Sequence, residues 1–400
     1  MERRHFGVFT QLGNGHVYPA LPMCAELVRR GHRVTYATNS HYAQIIAETG
    51  AEPVLLKYKH LSDELAEQMR LGGGLAFSDA RFKAMFRSWR SHVFTDTAAL
   101  LPQMQQFYKT NVPDLVLYDH YHVPGRLFAR TLDIPAVQLS AHFAYYNGMA
   151  MRRNGVYENP DALVEWSLEV DSLYEKYGLF SKGSLWHLEK LNVYFIPKEF
   201  QHNFDQFDDR FCFVGSLLNR PFRPAWMNRS NGKPIILISG LSLFHGMKSD
   251  ASRYFGIFIE ALAESPYHCI LSLADEDIVQ QVPRNFEIIR RVSHLEILPH
   301  AALSLCHGGM GSTLEAIYHG MPTIMVPQNE VCDEVAYRAE ELGLGIRISK
   351  QNLSVQRVRE AIDSMLEDIA LKGRVTDMRK VFMRSGGAQL AADRIESLLQ

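Results

Sequence analysis

The residues with the clearest chemistry lie between positions 306 and 327, which read CHGGMGSTLEAIYHGMPTIMVP. Gly308, Gly309 and Gly311 allow a sharp backbone turn and the close approach of a ligand. Ser312 and Thr313 are N-cap residue types, and residues 314–319 read as the helix they begin. A helix N-terminus offers unbonded amides and the positive end of a dipole, so the pattern predicts an anion site, with phosphate as the anion it suits best. The spacing is neither G-x-G-x-x-G nor a P-loop, because His307 leads the turn and no lysine follows it. The plain alternative is a tight turn in which His307 caps or packs. His16 and Asp119 have types suited to proton transfer. A structural role is open to each: a cap for the histidine, a strand end for the aspartate. Asp275-Glu276-Asp277 has the form of a metal-binding Asp-x-Asp but reads as a solvated turn.

Alternating strands and helices must position these groups. Residues 6–10 read as a strand, 11–16 as a turn, and 19–30 as a helix opened by Pro19 and closed by Gly31. Strand, helix and strand follow at 33–37, 41–49 and 53–56. A βαβαβ opening predicts a parallel sheet with its chemistry at the carboxyl ends of the strands. His16 falls at that edge, as does Asp119 after the strand 114–118. Between them, Phe82, Met85, Phe86, Trp89 and Val93 recur at helical spacing, preceded by Gly72-Gly73-Gly74. Such a stripe faces a core in its simplest reading; lining an apolar pocket or touching a membrane surface are the alternatives. His142, Phe143, Tyr145 and Tyr146 follow the strand 135–139 and reach the same edge.

Short strands at 193–197 and 211–214 precede a Pro-, Asn- and Gly-rich linker over 219–232. A second alternation begins at Ile235, with strands at 235–239, 269–273 and 286–289, a helix at 250–263, then the glycine stretch and helices at 331–342, 354–367, 371–384 and from Ala388. The expected architecture is α/β: two Rossmann-like, doubly wound domains, residues 1–217 and 218–400, facing each other across a cleft, with the last helix packing back toward the first.

Four hundred residues exceed one ordinary core, and 46% hydrophobic with 22% charged residues is a globular composition. A net charge of -2 gives no argument for a nucleic-acid partner. The five scattered cysteines lack metal-type spacing, and at least three of them lie in apolar runs and read as reduced core residues. Neither a signal peptide nor an apolar run of spanning length is evident, so a cytoplasmic protein without stable membrane insertion is expected, as monomer or homodimer.

The blocks GNGHVYPALPMCAELVRRGHRVTYAT, VPDLVLYDH, VYFIPKEFQ, FCFVGSLL and HGGMGSTLEAIYHGMP together resemble the family 1 glycosyltransferases of the GT-B fold, and among them the bacterial macrolide glycosyltransferases. The resemblance spans nearly the whole chain. It implies His16 as general base with Asp119 behind it, and a donor diphosphate held by His307, Gly309, Gly311, Ser312, Thr313 and Ser242. It further implies Glu315 on the donor ribose, and an acceptor pocket including Phe82, Phe86, Trp89, His142, Phe143 and Tyr145. The implied reaction is inverting and metal-independent. It moves a sugar from a nucleotide-sugar (UDP- or dTDP-linked) co-substrate to a hydroxyl of a small, partly hydrophobic natural product, with no cofactor.

The chain departs from that family at the donor. Arg291 to His294 stand where the family has Trp-Val-Pro-Gln, so Arg291 and His294 are the expected base contacts. Val331 and Cys332 replace an Asp-Gln pair, leaving Asp333 or Glu334 to meet the sugar. Two other readings therefore accompany the first: a non-catalytic, glycosyltransferase-like activator protein, and a membrane-surface transferase of lipid-linked sugars.

Overall fold

The computed structural model describes residues 2–58, 80–144, 171–172, 175–177, 188–218, 226–240, 248–273, 279, 281–289 and 293–400; of residues 80–93, 248–250 and 330 it describes the backbone alone. The chain divides into two compact units. The first holds Met1–Met69, Ala76–Pro221 and Ser385–Gln400; the second includes Phe222–Arg384.

In the first unit seven parallel strands are β1 (His5–Phe9), β2 (Arg33–Thr38), β3 (Glu52–Leu55), β4 (Leu115–Asp119), β5 (Ala136–Ser140), β6 (Asn192–Tyr194) and β7 (Phe211–Phe213). Their spatial order is β3-β2-β1-β4-β5-β6-β7. β1 and β4 are buried along their whole length, as strands covered on both faces must be. Helix α1 (Asn14–Arg29) covers one face with α11 (Gly387–Glu396), burying Val17, Leu21, Cys24, Ala391, Ala392 and Ile395 in one core. Helices α3 (Ala80–Tyr108) and α4 (Val123–Thr131) cover the other, with Met104, Tyr108, Leu127 and Phe128; α2 (Ala43–Ala47) is short. Sheet order reverses between β1 and β4, so ligand chemistry is expected beyond the ends of those two strands.

α1 begins at Asn14, not Pro19. Gly13 is its N-cap, and the amides of His16 and Val17 both donate to the Gly13 carbonyl, at 3.0 and 2.9 Å. Pro19 and Pro22 are inside the helix. The amides missing at Pro19 and Pro22 leave the carbonyls four residues back, those of Gly15 and Tyr18, without their intrahelical donors. His16 thus sits on the first turn of a helix instead of in a loop.

The second unit repeats the plan with β8 (Ile235–Ile238), β9 (His268–Ser272), β10 (Phe286–Ile289), β11 (Ala301–Cys306), β12 (Thr323–Met325) and β13 (Gly345–Arg347), ordered β10-β9-β8-β11-β12-β13 and all parallel. Its helices are α5 (Lys248–Leu262), α6 (His294–Ile297), α7 (Met310–Tyr318), α8 (Glu330–Glu341), α9 (Val355–Glu367) and α10 (Ile369–Arg384). Here the order reverses between β8 and β11, and the glycine turn follows β11. All five cysteines are unpaired and buried. No helix among the described residues is long and apolar enough to cross a membrane.

Candidate active site

In the first unit α1 and the end of β4 bring His16 to Asp119: Nδ1 lies 2.9 Å from Oδ2. The other carboxylate oxygen, Oδ1, accepts the Tyr121 amide at 2.9 Å. Both oxygens of a buried carboxylate are thereby used, and the imidazole tautomer is set: Nδ1–H donates to Asp119 and Nε2 keeps its lone pair. Burial works against a charged His16, but the charge and hydrogen bond of Asp119 outweigh it and raise the pKa above the ordinary histidine value. Burial likewise opposes ionisation of Asp119, and His16, the Tyr121 amide and His120 reverse the balance, lowering its pKa. This is the setting of an ionised carboxylate behind a proton-accepting imidazole.

The segment Asp119-His120-Tyr121-His122 contributes more than its first residue. The Tyr121 ring meets His16 edge-on at 5.8 Å, and His120 Nδ1 lies 3.3 Å from Gln138 Oε1 on β5. His122 caps α4, its Nδ1 accepting the Gly125 amide at 2.9 Å; burial holds its pKa down to about 4. Sequence reasoning passed over these three, although two histidines and a tyrosine directly after a strand-end aspartate were signal enough. The acceptor-side expectations divide. His142 is half-buried, with its ring 5.5 Å from that of His16. Phe143 is buried, stacked on Phe200 at 5.8 Å and set against His202 at 4.8 Å, and so packs with the core among the described residues. Tyr145 and the side chains of Phe82, Phe86 and Trp89 lie outside the described residues.

In the second unit the glycine turn leads from β11 into a helix, in a different register from the one the sequence predicts. α7 starts at Met310, and its N-cap is Gly309 without any side-chain cap bond, so Ser312 and Thr313 are not caps. The first intrahelical bond runs from the Thr313 amide to the Gly309 carbonyl at 3.0 Å. The amides of Met310, Gly311 and Ser312 therefore have no partner in the helix. Thr313 is fully buried, with its hydroxyl 3.9 Å from Cys306 Sγ; neither its amide nor its hydroxyl is left for a ligand. Gly308 turns the chain at φ +76°, where a Cβ would also meet the Cys332 carbonyl at 2.9 Å. At Gly309 a Cβ would fall 2.4 Å from His307 Nε2, whereas at Gly311 it would meet nothing within 4 Å. The glycines thus make room for the His307 ring and leave the helix end open. His307 is buried, and its Nδ1 has no hydrogen-bond partner among the described residues. Burial, then the neighbouring His294, lowers its pKa to about 4, so it acts as a neutral hydrogen-bonding group and the positive potential is that of the helix end.

His294, capped by Ser293 at the start of α6, places Nε2 2.9 Å from Ser272 Oγ at the end of β9 and Nδ1 4.0 Å from Glu315 Oε2. Ser272 joins the site without any sequence signal beyond its strand-end position. The Asp333 carboxylate pairs with Arg347 of β13, whose guanidinium also lies 3.7 Å from Glu340. Glu334 is buried. Ser242, Arg291 and the 275–277 triplet lie outside the described residues. Among the described residues no cluster of His, Cys, Asp and Glu has the arrangement of a metal site.

An imidazole bonded to a buried carboxylate thus lies at one switch point, and an uncapped helix end lies at the other. Known proteins resemble this chain in sequence and fold. The solved structure of CalG4, the calicheamicin glycosyltransferase, superposes with a TM-score of 0.82 at 30% identity, covering 100% of this chain and 99% of that one. NDP-glycosyltransferase YjiC of Bacillus subtilis (strain 168) is 31% identical over 405 residues, covering 100% of this chain and 98% of its own. Oleandomycin glycosyltransferase of Streptomyces antibioticus is 27% identical over 99% of the chain and 91% of its own. Residues 259–395 match the family described as Erythromycin biosynthesis protein CIII-like, C-terminal domain. The protein is a glycosyltransferase of the GT-B fold. It belongs to family 1, with the macrolide-type glycosyltransferases.

Proposed function

We propose that this enzyme transfers a sugar from a nucleotide-sugar, UDP- or dTDP-linked, to a hydroxyl of a small, partly apolar acceptor, with inversion and without a metal ion. The observation that carries the reading is the bond between His16 and Asp119, with Nε2 left as the basic nitrogen. In the proposed step the acceptor hydroxyl gives its proton to Nε2 as its oxygen forms a bond to the anomeric carbon. The bond from that carbon to the diphosphate oxygen breaks, and the nucleoside diphosphate leaves with the electron pair. One displacement, with attack opposite the leaving group, inverts the carbon. The amides of Met310, Gly311 and Ser312 and the neutral His307 meet the charge that grows on the diphosphate. The name of the Bacillus relative, an NDP-glycosyltransferase, supports a nucleotide-linked donor. Glu315 and His294, mutually close at the end of the sheet, are the proposed contacts to the nucleoside.

His16→Ala is the test. It should lower kcat by about 100-fold or more while the donor KM stays within about 2-fold, in buffer containing excess EDTA. Undiminished turnover in the variant would remove His16 from the mechanism. A wild-type rate lost in EDTA and restored by manganese would overturn the metal-free reading.

A further inference from the structure

A second imidazole lies beside the proposed base and has no role in that scheme. His142 stands two residues beyond β5, with ring centres 5.5 Å from His16 and 5.8 Å from Tyr121. Among the described residues no hydrogen bond reaches either nitrogen of its ring, whereas Asp119 engages His16. The two rings are set oppositely. Burial first, then the charge of His16, holds the pKa of His142 down to about 3, while that of His16 is raised. Neighbouring titratable groups pushed apart in this way have different duties. His142 cannot serve as a second base near neutral pH, because its nitrogen is too weak a proton acceptor.

Its position is built. The His142 amide donates to Ser140 Oγ at 3.2 Å. Two residues on, the buried side-chain amide of Gln201 takes both backbone groups of Ala144: the Ala144 amide donates to Oε1 at 2.8 Å, and Nε2 donates to the Ala144 carbonyl at 3.1 Å. Nε2 also donates to the His202 carbonyl at 3.0 Å. Gln201 thus acts toward this segment as a neighbouring strand would, and the Phe143–Phe200 stack fastens the residue between.

We propose that His142 is a neutral hydrogen-bonding contact that selects acceptors carrying a second oxygen next to the reacting hydroxyl, and that Gln201 is the residue that positions it. The inference rests on His16 as the base. Ring centres 5.5 Å apart are close enough to be bridged by two oxygens on adjacent carbons, one on each imidazole. A site that hydrogen-bonds a substrate oxygen rejects the analogue lacking it far more strongly than an apolar pocket can.

The experiment compares an aromatic 1,2-diol with its single-hydroxyl counterpart, read as the ratio of their kcat/KM values. The wild type should favour the diol by about 10-fold or more, and His142→Ala should bring the ratio to roughly one. His142→Gln, which keeps a hydrogen-bonding group, should restore part of it. Gln201→Ala should collapse the ratio too, and the double variant should be no less selective than His142→Ala, because both act through one ring. A wild type without preference, an equal loss on both acceptors, or additive effects in the double variant would overturn the proposal. His16→Ala separates the two readings: turnover that survives it refutes the base, whereas a ratio insensitive to His142 refutes only the selectivity.

Discussion

Asp119 has both oxygens engaged, and that makes its replacement informative. With Asn at this position the ring of His16 loses the charge that raises its pKa and the partner that fixes its tautomer. Only burial would remain, and burial lowers a histidine pKa. The base must be neutral to act, so kcat/KM should rise with pH through the His16 pKa, above 6.5 in the wild type. Asp119→Asn should move that limb below pH 6.5 and drop its plateau by about 100-fold or more. A lowered plateau with an unmoved limb would show that another group governs the profile. A single side chain was also what sequence reasoning handled best. His16, Asp119 and the glycine turn were legible because each is fixed by a short segment at a strand end. The pairing of Asp333 with Arg347, and of Ala144 with Gln201, was not. Partners 14 and 57 residues apart meet through the register of separate elements, which leaves no periodic trace in the chain.

At the scale of elements, two helix starts make separable predictions. Gly309 and Gly311 flank the first residue of α7, yet a Cβ at the first collides with His307 and at the second meets open space. Gly311→Ala should fold normally, with a melting temperature equal to or slightly above the wild type, since alanine is the better helix former by about 1 kcal/mol. Its donor KM should nonetheless rise, if the diphosphate docks on those amides. An unchanged KM would place the anion elsewhere. The start of α4 depends on a proton instead. The cap nitrogen of His122 must be unprotonated to accept the Gly125 amide. An unfolded histidine titrates near 6.5 and this one near 4, so unfolding takes up a proton between those values. The stability it contributes is complete above pH 6.5 and drains away as pH falls toward 4. His307 and His142 add to the same slope. His122→Asn, which keeps a capping oxygen, should show a smaller loss of melting temperature between pH 7.5 and 4.5 than the wild type; an equal loss would assign the slope to the other histidines. Helix limits were the part of the fold the sequence blurred most, because proline at 19 and hydroxyls at 312 and 313 are start signals that tertiary context overrode.

For the whole molecule, residues Ser385–Gln400 matter because they return to the first unit after the second has been completed. α11 buries Ala391, Ala392 and Ile395 against α1, and Glu396 gathers Arg30 and His32 at 2.7 Å each, with Asp393 and Glu26 on the same Arg30. The Glu26 carboxyl is held down at about 2, by Arg29 first and against the cost of burial. Removing one partner from a buried ionic cluster strands the others, at a cost of about 3–5 kcal/mol. Glu396→Ala should therefore lower the urea midpoint markedly, and a midpoint shifted by less than about 0.5 M would mean that water replaces the carboxylate. There is a consequence for the order of events during synthesis and for anyone recombining such enzymes. The first unit cannot close its core until α11 has been made, after its own strands and the whole second unit, so it must wait, partly uncovered, while the second unit forms. A chimera joined once, between the units, would inherit a closing helix matched to the wrong α1. Two crossovers, the second near Arg384, would keep each sheet with the helix that seals it.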